Sequence, residues 1–134
     1  MVGMPRYKKS MTKAEIKRMD TLWSQRVKED AGNKCEICGR PKGAVQLHSH
    51  HFIGRRNRAL RWWLPNGVCL CAEHHKLSLW SAHENPEWFR EQMLDIRGAK
   101  WVKDLRRRER GIFKGMCFEV KDYLDNKIKD YGLN

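Results

Sequence analysis

The 134-residue sequence is long enough for one domain with a modest core. It carries 28 Lys and Arg against 16 Asp and Glu, a formal charge of +12, at a mean hydropathy of −0.80. No apolar run is long enough to cross a bilayer, and the basic start MVGMPRYKKS lacks the apolar segment of a secretory signal. A cytoplasmic protein is therefore expected, with no membrane partner. The charge surplus points to a polyanion, nucleic acid first, ahead of a merely soluble basic protein.

In chain order, residues 1–11 read as a basic tail. Thr12 and Glu15 form a capping box ahead of Ile16, Met19, Trp23 and Val27, which recur at helical spacing, so a helix is expected over 12–31, stopped by Gly32 and Asn33. Its polar face holds Lys13, Lys17, Arg18, Arg26 and Lys28, a phosphate-facing or simply solvated surface. Cys35-Glu36-Ile37-Cys38-Gly39 is a tight knuckle. A strand over 45–53 follows, then a basic connection over 54–66 with Arg55, Arg56, Arg58 and Arg61. Pro65-Asn66-Gly67 turns the chain into a second strand over 68–71, and a helix is expected over 72–80. Asn85-Pro86 opens the next helix, with Asn as cap and Pro at the first position, and Gly98 ends it. A very basic helix over 100–110 contains Arg106, Arg107 and Arg108, and a last helix is expected over 118–131. The fold class is α+β: one domain over 1–134, with a core over 35–83 between an N-terminal helix and a helical extension over 86–134.

Four of the five Cys and all six His lie between Cys35 and His83. An odd cysteine count in an intracellular chain favours metal over disulfides. Cys35-x-x-Cys38 and Cys71-x-x-His74 have the spacing of two zinc knuckles, and two such pairs complete a tetrahedron around structural Zn2+. Cys69 shares a strand face with Cys71 and competes with it, but only Cys71 has the spacing to His74. Cys117 reads as a small buried hydrophobe. The insert between the pairs is histidine-rich: His48, His50 and His51 on the first strand, His74 and His75 at the helix start. Neighbours on a helix diverge by about 100°, so His74 can face the zinc while His75 faces a second metal. Strand parity groups His48 with His50 and sets His51 on the other face, which leaves His48 open as a ligand.

His50-His51, Asn66 and His75, within LHSHHFIGR and LPNGVCLCAEHHK, resemble the His, Asn and His of the HNH endonuclease family. The knuckles resemble its zinc-braced, phage-type subgroup. The resemblance covers about residues 20–97 and implies a ββα-metal core. By that resemblance His50 and His75 are ligands of a catalytic divalent metal (Mg2+, Mn2+ or Ni2+), with His83 as a candidate third. His51 is the general base, and Asn66 holds the loop beside it. Where some members carry a further helix histidine, this chain has Leu79. The implied activity is cleavage of DNA, duplex or branched, to 5′-phosphate and 3′-hydroxyl ends, in the host cytoplasm if the chain is phage-encoded.

That chemistry suits the residues. A histidine titrating near neutrality takes a proton from water, a divalent cation offsets phosphoryl charge, and Arg55, Arg56 and Arg58 sit where flanking phosphates are held. Arg106, Arg107 and Arg108 are a second candidate phosphate surface. Trp62 and Trp63 either pack under the loop or wedge into DNA, while Trp23, Trp80, Trp88 and Trp101 read as core. The alternatives are a non-catalytic zinc module that binds nucleic acid, or a nuclease subunit of a phage recombination or packaging assembly. A pure binder has no reason to carry His51 and Asn66 together. Oligomeric state is open, and a double-strand cut would favour a homodimer.

Overall fold

A computed structural model describes residues 11–111, 117–126 and 131. The expected tail therefore lies almost wholly outside the described residues, as does the side chain of Cys117. The first helix, α1 (Lys13–Asp30), begins as its sequence dictates: the Thr12 hydroxyl accepts from the Glu15 amide at 3.1 Å, and the Glu15 carboxylate accepts from the Thr12 amide at 3.0 Å. Gly32 and Asn33 take positive φ (70° and 55°) and turn the chain out. Met19, Trp23 and Val27 are buried on one stripe against an antiparallel hairpin, β1 (Leu47–His51) and β2 (Gly67–Cys71). The register pairs His48 with Leu70 and His50 with Val68. Gly67 lies so close to α1 that a Cβ there would overlap Val27 and Trp23, which is why a glycine starts β2.

β1 is shorter than the expected 45–53. Phe52 and Ile53 leave the ladder because Asn66 takes over their backbone groups, as described below. The basic connection is not irregular either. It folds inward around a short helix, α2 (Arg58–Arg61), capped by Asn57, whose carboxamide oxygen accepts from the Ala59 amide at 3.0 Å. Ala59, Leu60 and Trp62 behind it are fully buried, so Trp62 packs under the loop rather than wedging outward. A 3-10 turn, Leu64–Asn66, then delivers the chain to β2.

After β2 comes a π-helical turn, Glu73–Leu77, and then α3 (Pro86–Arg97), α4 (Ala99–Glu109) and α5 (Cys117–Asn126). Asn85 caps α3, its side chain accepting from the Trp88 amide at 3.2 Å, and Gly98 (φ 89°) breaks α3 from α4. The last helix was expected to run to residue 131, but it is described only to Asn126, and 127–130 lie outside the described residues. α5 packs on α1, where Arg26 donates to the carbonyls of Leu124 (2.6 Å) and Asp125 (2.8 Å). Arg26 thus ties α1 to α5 rather than lying free on the α1 surface. Two antiparallel strands followed by helical turns, flanked by helices at both ends, make a ββα-metal-like α+β fold. Among the described residues no helix is long and apolar enough to cross a membrane.

Arg108, one of the three candidate phosphate-binding arginines of α4, lies inside the protein. It is only 6% exposed. It donates from Nε to the Ala59 carbonyl at 2.5 Å and from Nη2 to the Tyr131 carbonyl at 3.1 Å, with its guanidinium over Trp63 (4.5 Å) and Tyr131 (4.9 Å). The side chain is a buried strut between α4, α2 and the C-terminal segment, out of reach of a phosphate. Arg106 is tied to Glu109 at 3.2 Å, and Arg107 alone of the three is exposed. Arg108→Leu should lower stability by about 2 kcal/mol or more, because buried carbonyls lose a charged donor. Thermal unfolding measures this.

Candidate metal centres

The first knuckle closes through the Gly39 amide, which donates to the Cys35 carbonyl at 2.8 Å, with Gly39 at φ 75°. Cys71 ends β2, and His74 follows in the π turn. Donor atoms of Cys35, Cys38, Cys71 and His74 all lie within 4.8 Å of one another. Cys38 Sγ and Cys71 Sγ are 3.9 Å apart, and His74 Nδ1 is 3.8 Å from Cys35 Sγ and 3.3 Å from Cys71 Sγ. A zinc tetrahedron built on S and N ligands has S–S edges of about 3.8 Å and S–N edges of about 3.6 Å, so these residues fit the ion.

Cys69 stays outside this cluster. It is fully buried, its backbone is held by Glu36 (amide to carboxylate 2.7 Å), and burial together with the Glu36 charge pushes its thiol up to about 11. Glu36 is in turn clamped by Arg97 at 2.7 Å, which ties the knuckle to α3. Sequence reasoning missed Arg40. Its Nε lies 3.2 Å from Cys38 Sγ, and its Nη2 lies 3.6 Å from Cys71 Sγ and 2.9 Å from Glu73. Partial burial works against the Cys38 thiolate, but the Arg40 guanidinium, the Arg40 amide, Cys35 and His74 together outweigh it and bring the thiol to about 6. Three thiolates over-neutralise a dication, and Arg40 offsets the excess. Its position, two residues past the second Cys, was the available signal.

His50, His75 and His83 form a second, separate donor cluster. The expected helix over 72–80 is cut short. The chain makes a single π turn in which the Ser78 amide donates to the Glu73 carbonyl at 2.9 Å, and then it leaves helical geometry. π turns of this kind recur at functional sites. The chain folds back so that the Ala82 and His83 amides donate to the carbonyls of His74 (2.8 Å) and His75 (3.1 Å). This return, rather than a continued helix, delivers His83. Leu79, where a helical ligand would stand, points to solvent at 80% exposure.

His75 Nε2 and His83 Nε2 are 3.1 Å apart, and the His50 ring centroid lies 5.1 Å from that of His75 and 5.3 Å from that of His83. Two nitrogens about 2.1 Å from one cation sit about 3.0 Å apart at a right angle and about 3.4 Å apart in a tetrahedron, so the observed spacing fits a shared ion. Burial, followed by the neighbouring imidazoles, lowers His50 to about 3 and His75 to about 4, leaving both rings neutral as ligands must be. Phe89 from α3 packs edge-on against His50 at 5.1 Å, and Arg90 lies over Phe52 on the same aromatic row.

His48 does not join the three donors. Its Nδ1 sits 2.7 Å from His75 Nδ1, on the side of the His75 ring away from His83. With His75 Nε2 turned to the cluster, Nδ1–H donates to His48, which fixes tautomer and ring direction. His48→Ala should weaken divalent-metal affinity at the histidine cluster by about tenfold to a hundredfold. Titration calorimetry on zinc-loaded protein reads this directly, and His48→Asn should recover part of the loss.

His51 faces away from the cluster, as strand parity requires. Its ring stacks on Trp23 (3.9 Å, 7°), and Nε2 donates to the Arg61 carbonyl at 2.9 Å, so Nδ1 carries the lone pair. Burial lowers its pKa. Arg61 is gripped by Asp20 of α1 (2.9 and 2.7 Å), which also accepts from Trp62 Nε1 at 3.0 Å, so α1 fixes the carbonyl that orients His51. Asn66 is fully buried. Its Oδ1 accepts from the Ile53 amide at 2.9 Å, and its Nδ2 donates to the carbonyls of Ile53 (2.9 Å) and Leu60 (3.1 Å). It holds the loop leaving His51 and touches no donor cluster. Arg55 and Arg56 on that loop are exposed, and Arg58 is half-buried.

The core is thus a ββα-like metal unit with a Cys3His cluster and a distinct three-histidine cluster. No protein-family model, curated protein or solved structure matches the chain.

Proposed function

We propose that the chain is a metal-dependent DNA endonuclease of the HNH type. One observation carries this reading: a three-histidine cluster with few protein ligands stands apart from the four-donor cysteine cluster, and the strand residue after its donor His50, His51, is held as a neutral tautomer on the Arg61 carbonyl. A closed four-ligand set suits a structural ion, and a three-ligand set leaves positions for water and substrate. The charge of +12 supplies long-range attraction for a polyanion.

In this reading His50, His75 and His83 hold a divalent cation, which when bound offsets charge on the phosphodiester oxygens and aids the departing 3′ oxygen. His51 Nδ1 takes the proton of the attacking water, with its other nitrogen fixed by the Arg61 carbonyl. The water oxygen bonds to phosphorus, the P–O3′ bond breaks, and the products are 5′-phosphate and 3′-hydroxyl ends. Asn66 is a positioning residue that keeps the loop after His51 in register. Arg55 and Arg56 hold flanking phosphates. An all-imidazole donor set favours Ni2+ or Mn2+ over Mg2+, which prefers oxygen ligands. The substrate is duplex or branched DNA, and the setting proposed is a phage recombination or packaging pathway in the host cytoplasm.

The test is nicking of supercoiled plasmid by zinc-loaded protein with added Mn2+, Ni2+ or Mg2+. Wild type should nick, with Mn2+ and Ni2+ ahead of Mg2+, and His75→Ala should not. Plasmid binding without metal-dependent nicks would support a non-catalytic zinc module instead.

A further inference from the structure

The return of the chain from the π turn to His83 leaves Leu77, Leu79 and Trp80 outside the core, 76%, 80% and 57% exposed. Among the described residues these are three of the five large apolar side chains with such exposure, gathered in four positions. Sequence patterning read Trp80 as core, and the structure places it at the surface. Exposed apolar groups in such density mark a contact surface. The segment is not loose. Trp80 packs on Trp88 of α3 (centroids 5.8 Å apart), and Trp88 lies near-parallel to the ring of His74 (6.1 Å, 27°). The Ser78 hydroxyl accepts from the Trp80 amide at 3.0 Å, and the buried Ser81 hydroxyl accepts from the Glu84 amide at 3.2 Å. Trp80 is therefore a braced aromatic surface at the end of a row that begins at a residue of the cysteine cluster.

The segment is also pinned between two donors of the histidine cluster, with His75 two residues before Leu77 and His83 three residues after Trp80. Whatever covers it lies beside that cluster. On a chain of charge +12, with Lys76 exposed next to Leu77, that occupant is anionic overall yet offers an apolar face at this point. An unpaired nucleotide of a nucleic-acid strand meets both requirements, through its anionic phosphate and the apolar face of its base. A continuous duplex does not, since its base faces are stacked inside. We infer that Leu79 and Trp80 form a stacking platform for an unpaired base next to the scissile phosphate, so that the substrate is branched or gapped DNA. This rests on the nuclease reading and narrows its substrate.

The test compares wild type, Trp80→Ala, Leu79→Ser and Trp80→Phe, all zinc-loaded and without other divalent metal, so that binding is read without cutting. The probes are a flapped DNA carrying 2-aminopurine at its first unpaired position and the matching full duplex. Thermal unfolding should be unaltered in Leu79→Ser and lowered by a few degrees at most in the Trp80 variants, which lose or shrink the contact with Trp88 but stay folded. Trp80→Ala should weaken flap binding by about tenfold to a hundredfold and abolish 2-aminopurine quenching, while duplex binding changes by about twofold at most. Leu79→Ser should follow it more weakly, and Trp80→Phe should retain quenching. Equal loss on both probes, or no loss on either, overturns the platform while leaving a nuclease that binds duplex. A wild-type dimer that Trp80→Ala dissociates in sedimentation overturns it in favour of a second copy on this loop. Failure of wild type to bind either probe removes the nuclease reading and the platform together.

Discussion

Removing the zinc, by chelator or by Cys71→Ser, should unfold the core rather than merely loosen it. The hairpin is two short strands, and isolated hairpins are marginal. Its open end is held by Cys35 and Cys38 from the knuckle, Cys71 at the end of β2 and His74 in the π turn. Structural zinc contributes on the order of 10–16 kcal/mol in small modules, comparable to the roughly 5–15 kcal/mol total stability of a typical domain. Loss of the ion also leaves the Cys38 thiolate to Arg40 alone, while Cys35, pushed up by burial, protonates. The π turn would lose its anchor, and His75 its orientation. Far-UV circular dichroism and thermal melts should show a cooperative loss of structure that added Zn2+ restores in wild type but not in Cys71→Ser. His75→Ala, which removes a donor from the other cluster, should keep the wild-type melt to within a few degrees.

His51→Ala should lower the plasmid-nicking rate by about 10²- to 10⁴-fold, the range for loss of a general base. The loss should fall on kcat, with KM and the metal affinity of the histidine cluster near wild type. His51 lies on the opposite strand face from His50, so its removal leaves the three donors in place. Trp23 would lose its stacked neighbour, and a modest drop in melting temperature is expected, small enough for the rate to be measured on folded protein. Asp20→Asn tests the same assembly from behind. It weakens the grip on Arg61, whose carbonyl directs His51, and should reduce kcat less than His51→Ala without changing metal affinity.

The parts legible in the sequence were those governed by local chemistry. The Thr12–Glu15 box, the Gly32-Asn33 stop and the Asn85-Pro86 start appear where short-range hydrogen bonding demands them. Cys-x-x-Cys and Cys-x-x-His report closure over one turn, so the four-donor cluster could be read directly, and strand parity separated His50 from His51. The rest depended on long-range closure. The helix after β2 stops early because residues 82 and 83 compete for the carbonyls of His74 and His75, a pairing with no local signature. That competition brings in His83 and expels Leu79 and Trp80. Arg108 looks like its exposed neighbour Arg107, and only the meeting of α2, α4 and Tyr131 buries it. His48 shares a face with His50, yet the 2.7 Å contact with His75 Nδ1 turns it from rival ligand into support.

In the proposed centre the adjacent residues His74 and His75 serve two different ions. Anomalous diffraction from zinc-loaded crystals soaked in Mn2+ or Ni2+, collected at both absorption edges, tests it most directly. A zinc peak is expected among Cys35, Cys38, Cys71 and His74, and a separate peak of the soaked metal among His50, His75 and His83. A single ion bridging His74 and His75, or a histidine cluster that takes no metal, would contradict it.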